Sequence, residues 1–415
     1  MYHHRRTFLK SAAATTALVG LGGCLGNGNG DDDDVLRLGY PTSLSGGNAQ
    51  LGTDYHRGFE IWADDVNENG GILDMEVELI HYDDESSPAR AREMAERLVS
   101  EDDVDFLFGP YGSPTNYAAC IVADQNQVPM VSGAASDPEI FDRGLQYFYS
   151  VLSKTDEYGE TLPLFLAEID WGDYDMGEPS TVASIRAEAP FTDDIGMAQI
   201  ENFEAHGFDV VFQDDYPLDI DDFSGLISQI EAEDPDILLV AGFPPDEAQF
   251  AEQMQQADLN VDIHNQNYSS QPVIVDTLGE QVDYLFNGAW WDRRYEFDRV
   301  DEYVTEWDER YDDRPPEMPL AYATAAGMAL EFAIEDAGST DPDDVNAALE
   351  SLDAETTMGR TEFTDTGWSA HAFENEAVRQ WQHQEMELLY PDEFATGEAW
   401  LPTPEWGDRD EPPSS

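Results

Sequence analysis

Ser113 and Ser136 are the residues of this chain whose type and setting could do chemistry. Ser113 follows Gly109-Pro110-Tyr111-Gly112 and precedes Pro114; Ser136 follows Gly133-Ala134-Ala135 and precedes Asp137-Pro138. A serine hydroxyl both donates and accepts hydrogen bonds. At a helix N-terminus it stands beside unpaired N–H groups and a partial positive charge, a combination that seats a carboxylate. The chemistry is capture of an anionic group. Each serine alone reads equally well as a helix cap. Together, at equivalent places in consecutive units, they point to one binding site. Machinery for bond-breaking is hard to find. The chain has no Gly-x-Ser-x-Gly elbow and no Gly-x-x-x-x-Gly-Lys loop. Its histidines (3, 4, 56, 81, 206, 264, 371 and 383) lack metal spacing, and Cys24 and Cys120 cannot form a cluster. No metal and no cofactor are expected. A hydrolase built on carboxylates alone stays open in so acidic a chain.

The elements that must position the two serines are strand, turn, helix, strand, turn, helix. Residues 106–108 and 129–131 are short apolar runs suited to buried parallel strands. Gly109, Gly112 and Gly133 allow the turns, and Pro114 and Pro138 suit first helical positions. Both turns then lie at the carboxyl ends of parallel strands, where open α/β sheets bind ligands. Upstream, 35–40 reads as a strand, Tyr55, Phe59, Trp62 and Val66 mark a helical face, and Met75, Val77 and Leu79 alternate as a strand. After Ser153 a second series begins, with strands near 181–185, 210–212, 237–241 and 261–264. Between them, 187–193 reads as a loop and 195–205 as a helix. Residues 284–291 read as a strand returning to the first series, followed by helices near 298–311 and 319–337. Short late strands are expected at 360–364 and 379–383, and the tail after Pro402 has too few apolar residues to pack well. Two alternating series imply an α/β fold of two doubly wound parallel-sheet lobes.

The chain has 415 residues, with 89 acidic against 19 basic and a formal net charge of −70. Lys10 and Lys154 are its only lysines. Such a charge repels nucleic acid and anionic membrane surfaces, which excludes both as partners. The acids are spread along the whole chain. Self-repulsion on this scale is tolerable where salt cuts the screening length to about 3 Å, near 1 M. A salt-loving cell is the expected source, and a carboxylate pair here reads first as a solvated face.

The N-terminus reads as an address. Arg5-Arg6-Thr7-Phe8-Leu9-Lys10 resembles a twin-arginine export signal, and the apolar run 12–23 is shorter than the ~20 residues a membrane span needs. Leu21-Gly22-Gly23-Cys24 looks like a lipobox, which implies cleavage before Cys24 and a lipid on it. Residues 24–34, rich in Gly, Asn and Asp, read as a flexible tether.

Ordered segments from about Leu36 to Gln382 resemble the branched-chain amino acid binding proteins of ABC transporters, in the type I periplasmic-binding family. They are Ser43-Leu44-Ser45-Gly46, the run 64–72, Tyr82-Asp83-Asp84 with Ser87-Pro88, and Gly109-Pro110-Tyr111. Val128-Pro129-Met130-Val131-Ser132, Asp137-Pro138-Glu139-Ile140-Phe141, Tyr322-Ala323 and Gly338-Ser339-Thr340-Asp341 complete the set. The resemblance implies two lobes joined by three crossover segments, closing on a ligand by a hinge motion. Lobe one would hold 35–153 and 289–367; lobe two would hold 154–288 and 368–402, with 403–415 a tail. It implies that Ser113 binds the ligand carboxylate and that Ala135 and Ser136 sit in the loop holding its carboxylate and amino groups. Phe191, Phe243 and Tyr111 take aromatic positions, Leu51 contacts the ligand side chain, and Trp291 forms a wall. Of Trp290 and Trp291, adjacent on a strand, one faces the core and the other the cleft.

One departure stands out. The amino acid binders hold the ammonium with an acid near the segment that here reads His264-Asn265-Gln266-Asn267-Tyr268, which contains none. Asp246 reads as a cap or a solvated group. A zwitterion then lacks a partner, at a cost of order 1–3 kcal/mol. An amide, a urea-like molecule or another small carboxylate stays open. The resemblance implies no enzyme. It implies a solute receptor anchored to the outer face of the membrane through Cys24, serving an ABC permease and its ATPase subunits. A receptor feeding a signalling partner, or a cell-surface enzyme on a related scaffold, are the alternatives.

Overall fold

The computed structural model describes residues 35–409, apart from 156, 157, 175, 312 and 313. The twin-arginine stretch, Cys24 and the tether lie outside the described residues. The first sheet contains β1 (Val35–Thr42), β2 (Glu76–Asp83), β3 (Phe106–Phe108), β4 (Met130–Ser132) and β5 (Phe148–Ser150). Its order is β2-β1-β3-β4-β5, and every pairing is parallel. Helices α1 (Ala49–Glu68), α2 (Pro88–Ser100), α3 (Ser113–Asn126) and α4 (Pro138–Phe141) connect these strands. The three residues of β3 are fully buried, as a run covered on both faces must be.

The second sheet is built from β6 (Thr181–Ala187), β7 (Asp209–Tyr216), β8 (Ile237–Ala241), β9 (Ile263–Gln266) and β10 (Leu285–Ala289). Its helices are α5 (Thr161–Glu168), α6 (Pro190–Ala205), α7 (Ser224–Glu233), α8 (Pro244–Gln256) and α9 (Pro272–Leu278). The chain then supplies α10 (Val300–Arg310), α11 (Met318–Ala337) and α12 (Pro342–Glu350), a hairpin of β11 (Asp353–Thr356) and β12 (Gly359–Glu362), and a final pair, β13 (Ala377–Gln382) and β14 (Glu385–Tyr390). The second sheet runs β14-β13-β10-β9-β8-β6-β7, with β13 antiparallel to both neighbours. The chain therefore passes between the lobes after β5, after β10 and between β12 and β13.

The long apolar helix α11 returns to the first lobe and packs on α1. Small residues allow the close approach. A Cβ added at Gly58 would lie 2.7 Å from Ala323 Cβ, and one at Gly327 would lie 2.4 Å from the Trp62 ring. Tyr55, Phe59, Trp62 and Val66 are buried beneath this contact, the face their spacing predicts.

Three sequence expectations need correction. Helix α6 starts at Pro190, so Phe191 lies in its first turn and not in a loop; proline at the first helical position has no N–H to lose and a φ already suited to the helix. Helix α4 is a single turn of four residues. The tail packs as far as Arg409: Thr403 N and Thr403 Oγ1 donate to Asp262 O at 3.0 and 2.8 Å, and the Arg409 guanidinium lies over the Trp406 ring at 3.3 Å. One aromatic ring and one planar cation give this segment the burial that a count of aliphatic residues misses.

Candidate functional site

The loops after β3 and β4 are bonded to each other. Gly112, with φ +93°, is the residue before α3, and no L side chain adopts that turn without strain. Ser113 is therefore the first helical residue, and its hydroxyl does not cap its own helix. Ser113 Oγ instead accepts from Ser136 N at 3.1 Å and Asp137 N at 3.2 Å. Tyr55 OH donates to Gly109 O (3.2 Å) and accepts from Gly133 N (2.8 Å), tying the same loops from below. Asn116 Nδ2 adds bonds to Pro110 O (2.6 Å) and Gly112 O (2.9 Å). Ser113 and Ser136 are 8% and 3% exposed, and neither hydroxyl donates a hydrogen bond among the described residues. Ala135 is fully buried, its carbonyl taken by Ser150 Oγ at 2.7 Å.

Only one full helix N-terminus serves these loops. Asp137 Oδ1 caps α4 by accepting from Glu139 N at 2.9 Å, but one turn carries little of the dipole that the sequence reading assigned to it. The second loop contributes its N–H groups and Ser136 instead.

Crossing to the second lobe, Thr155 N donates to Ser136 O (2.8 Å) and Thr155 Oγ1 to Asp194 Oδ2 (3.3 Å), so the serine loop is linked to α6 through the first crossover. Above it the rings gather. Phe191 and Phe243 lie 6.3 Å apart, and Phe243 and Tyr268 lie 6.5 Å apart at 20°. Tyr111 packs edge-on to Tyr55 at 5.7 Å. Trp290 sits between the lobes, 5.1 Å from Tyr158 and 6.5 Å from Tyr322. The structure thus gives the inter-lobe ring contacts to Trp290, though both tryptophans are buried in the main core, Trp290 at 8% and Trp291 at 2% exposed. Leu51 is half-buried in the first turn of α1.

Burial lifts the phenols of Tyr111, Tyr158 and Tyr322, and in all three the neighbouring Tyr268 adds to the rise. Four neutral phenols from both lobes are therefore electrostatic neighbours. Sequence reasoning missed Tyr158, Tyr268, Tyr322 and Trp290 as a group, because they come from four separate segments.

Two carboxylates stand behind this ring set. Asp246 accepts from Phe243 N with both oxygens at 3.1 Å and from Tyr216 OH at 2.5 Å. Glu247, fully buried, accepts from Gly242 N and Tyr268 N, each at 2.9 Å. Burial pushes its carboxyl up to about 8, against the lowering effect of those N–H groups. Both acids brace the loops that carry Phe243 and Tyr268.

The lobes also share an ion network behind the rings. Arg379 of β13 reaches Glu317, just before α11, at 3.3 Å and Asp292, after β10, at 3.7 Å. Asn287 Oδ1 accepts from Arg379 Nη2 at 2.5 Å, and Arg294 grips Asp292 with bonds of 2.6 and 2.7 Å. Burial alone would raise Asp292, yet the Arg294 bonds and the Arg379 charge hold its carboxyl below the usual range.

A two-lobed α/β body with loops converging between its sheets can be compared with known proteins. A model of the periplasmic binding protein family matches residues 35–384. The leucine-specific-binding protein of Salmonella typhimurium is 22% identical over 335 residues, covering 80% of this chain and 88% of that one. Leu/Ile/Val-binding protein homolog 8 of Brucella abortus is 24% identical over 370 residues, covering 86% and 90%. The crystal structure of the branched-chain amino acid transporter substrate binding protein LivJ from Streptococcus pneumoniae, in complex with isoleucine, aligns with a TM-score of 0.71 at 17% identity, over 86% of this chain and all of that one. These relatives are solute-binding proteins of the type I periplasmic fold, and the family match covers all three crossings and both sheets except the edge strand β14. The chain belongs to the periplasmic binding protein family and is similar along nearly its whole folded body to the Leu/Ile/Val-binding branch of that family.

Proposed function

We propose that this protein is the extracytoplasmic receptor of an ABC importer, closing its lobes on a small polar ligand and delivering it to a permease with its ATPase subunits. The ligand class is an amino acid, an amide or a small carboxylate. The observation that carries the reading is the bond from Ser113 Oγ to the N–H groups of Ser136 and Asp137. It gathers two loops at one point and leaves two hydroxyl hydrogens free to donate. In this reading Ser113, Ala135 and Ser136 hold the ligand carboxylate, and Tyr111, Phe191 and Phe243 cover it. Leu51 contacts the ligand side chain, Trp291 lies in the core behind the cleft, and Trp290 is added as a wall. The names of the relatives support the class of role. Export by the twin-arginine stretch and a lipid on Cys24 complete the proposal.

The test is ligand binding by the purified full chain in molar salt. Thermal-shift screening of amino acids, amides and small carboxylates should find a compound that stabilises by mass action, about 2.7 kcal/mol at a hundredfold excess over Kd. The bound compound should be recovered unchanged; its conversion to a product would establish an enzyme instead. Replacing Cys24 with Ser should move the protein from the membrane fraction to the medium, and retention in the membrane would remove the lipid anchor from the proposal.

A further inference from the structure

We propose that the ligand's cationic end is a fully alkylated ammonium held against ring faces, so that the ligand is a small carboxylate of the betaine type. The inference rests on the receptor reading above and narrows its ligand class. A primary ammonium brings three N–H donors and is best met by a free carboxylate. The acids beside the ring set are already committed: Asp246 to Phe243 N and Tyr216 OH, Glu247 to Gly242 N and Tyr268 N, and Glu376, next to Tyr158, to Gly159 N and to the N–H and hydroxyl of Thr161. Asp194 takes the Thr155 hydroxyl. The run from His264 in β9 to Tyr268 just beyond it contains no acid.

What the two lobes bring together instead is rings. Trp290 stands between Tyr158 of one lobe and Tyr322 of the other, at 5.1 and 6.5 Å. Phe243 and Tyr268 present near-parallel rings 6.5 Å apart. A quaternary ammonium has no N–H to satisfy, and its diffuse charge is attracted to the negative faces of indole and phenol rings. The Asp246 carboxylate, held on Phe243 N, adds negative potential behind that ring without offering a contact. The serine loops, by contrast, offer donors and suit the opposite, anionic end. One end of the site therefore selects carboxylate and the other selects a soft cation.

Calorimetric titration of the full chain separates the possibilities with four probes: trimethylglycine, its carbon isostere 3,3-dimethylbutanoate, leucine and benzoate. Trimethylglycine should bind saturably and at least about tenfold more tightly than the isostere, which matches it in shape and carboxylate and lacks only the positive charge. Trp290→Leu and Tyr268→Leu should each weaken it about tenfold, while Tyr268→Phe, which keeps the ring, retains it. Melting of the ligand-free variants reports whether they fold. Equal or tighter binding of the isostere, leucine or benzoate overturns the inference and leaves the receptor reading standing. Failure of all four also overturns it, and the receptor reading is then decided by the wider screen. Equal losses in Tyr268→Phe and Tyr268→Leu would likewise remove the ring faces from recognition.

Discussion

Ser113 and Ser136 differ in what their hydroxyls already do. Ser113 Oγ accepts two backbone N–H groups, so Ser113→Ala orphans both in a buried place as well as deleting a ligand donor. It should weaken ligand binding about tenfold and destabilise the fold by about 1–3 kcal/mol. Ser136 Oγ makes no hydrogen bond among the described residues, so Ser136→Ala should weaken binding while leaving the melting temperature within about a degree of wild type. Calorimetry paired with melting of both variants checks the contrast; unchanged affinity in both would make the serines purely structural. Glu247 adds a pH signature. Its folded carboxyl titrates near 8 where the unfolded chain titrates near 4.5, so the folded state binds the extra proton between those values. Stability from this group is full below the lower value and is lost as pH rises towards 8. Glu247→Gln should flatten that slope in melting curves taken from pH 5 to 8. The serine pair was legible because Gly, Ser and Pro mark such loops by type. Trp290 and Glu247 were not. Adjacent tryptophans leave the cleft-facing one undecided, and one functional carboxylate is hidden among 89 acids.

The βα units were legible at the level of elements because a buried parallel strand must be an unbroken apolar run and most of the helices, α2, α3, α4, α6, α8 and α9 among them, carry proline in their first two positions. Cap identity was less legible. Ser113 has the residue type of an N-cap, yet the positive φ needed to leave β3 falls on Gly112 and moves the serine one place into the helix. The length of α4 was invisible because Asp137-Pro138 marks where a helix starts and says nothing of where it stops. Gly133 shows how closely the elements meet. A Cβ there would stand 2.2 Å from Tyr322 O, the backbone of α11, and 2.9 Å from the Tyr55 ring. Gly133→Ala must push α11 away from the serine loop, and Tyr322 with it. It should cost about 1–3 kcal/mol of stability and weaken ligand binding together, seen as a lowered melting temperature and a raised Kd. A fall in stability alone would show that α11 does not set the position of the site.

At the scale of the whole molecule, the Glu317–Arg379–Asp292 network ties together lobes that share three crossovers, and we expect it to bias their separation. Glu317 precedes α11 of the first lobe, whereas Arg379 and Asn287 belong to the sheet of the second. Arg379 is 4% exposed, so its charge is screened little by salt and depends on its two acids. Surface pairs elsewhere on a chain of net charge −70 behave oppositely, weakening as salt rises while the general repulsion is relieved. Glu317→Gln removes the cross-lobe charge but leaves Asp292 beside Arg379, so the protein should still fold, less stable by about 1–3 kcal/mol. Its ligand-free radius of gyration, measured by small-angle scattering, should rise above wild type, and saturating ligand should restore it, because a ligand that touches both lobes binds the closed state better. An unchanged radius would place the bias in the Trp290 ring contacts instead. In that case Trp290→Leu is the variant that opens the lobes, and the residues that recognise the ligand are the same ones that hold the halves together.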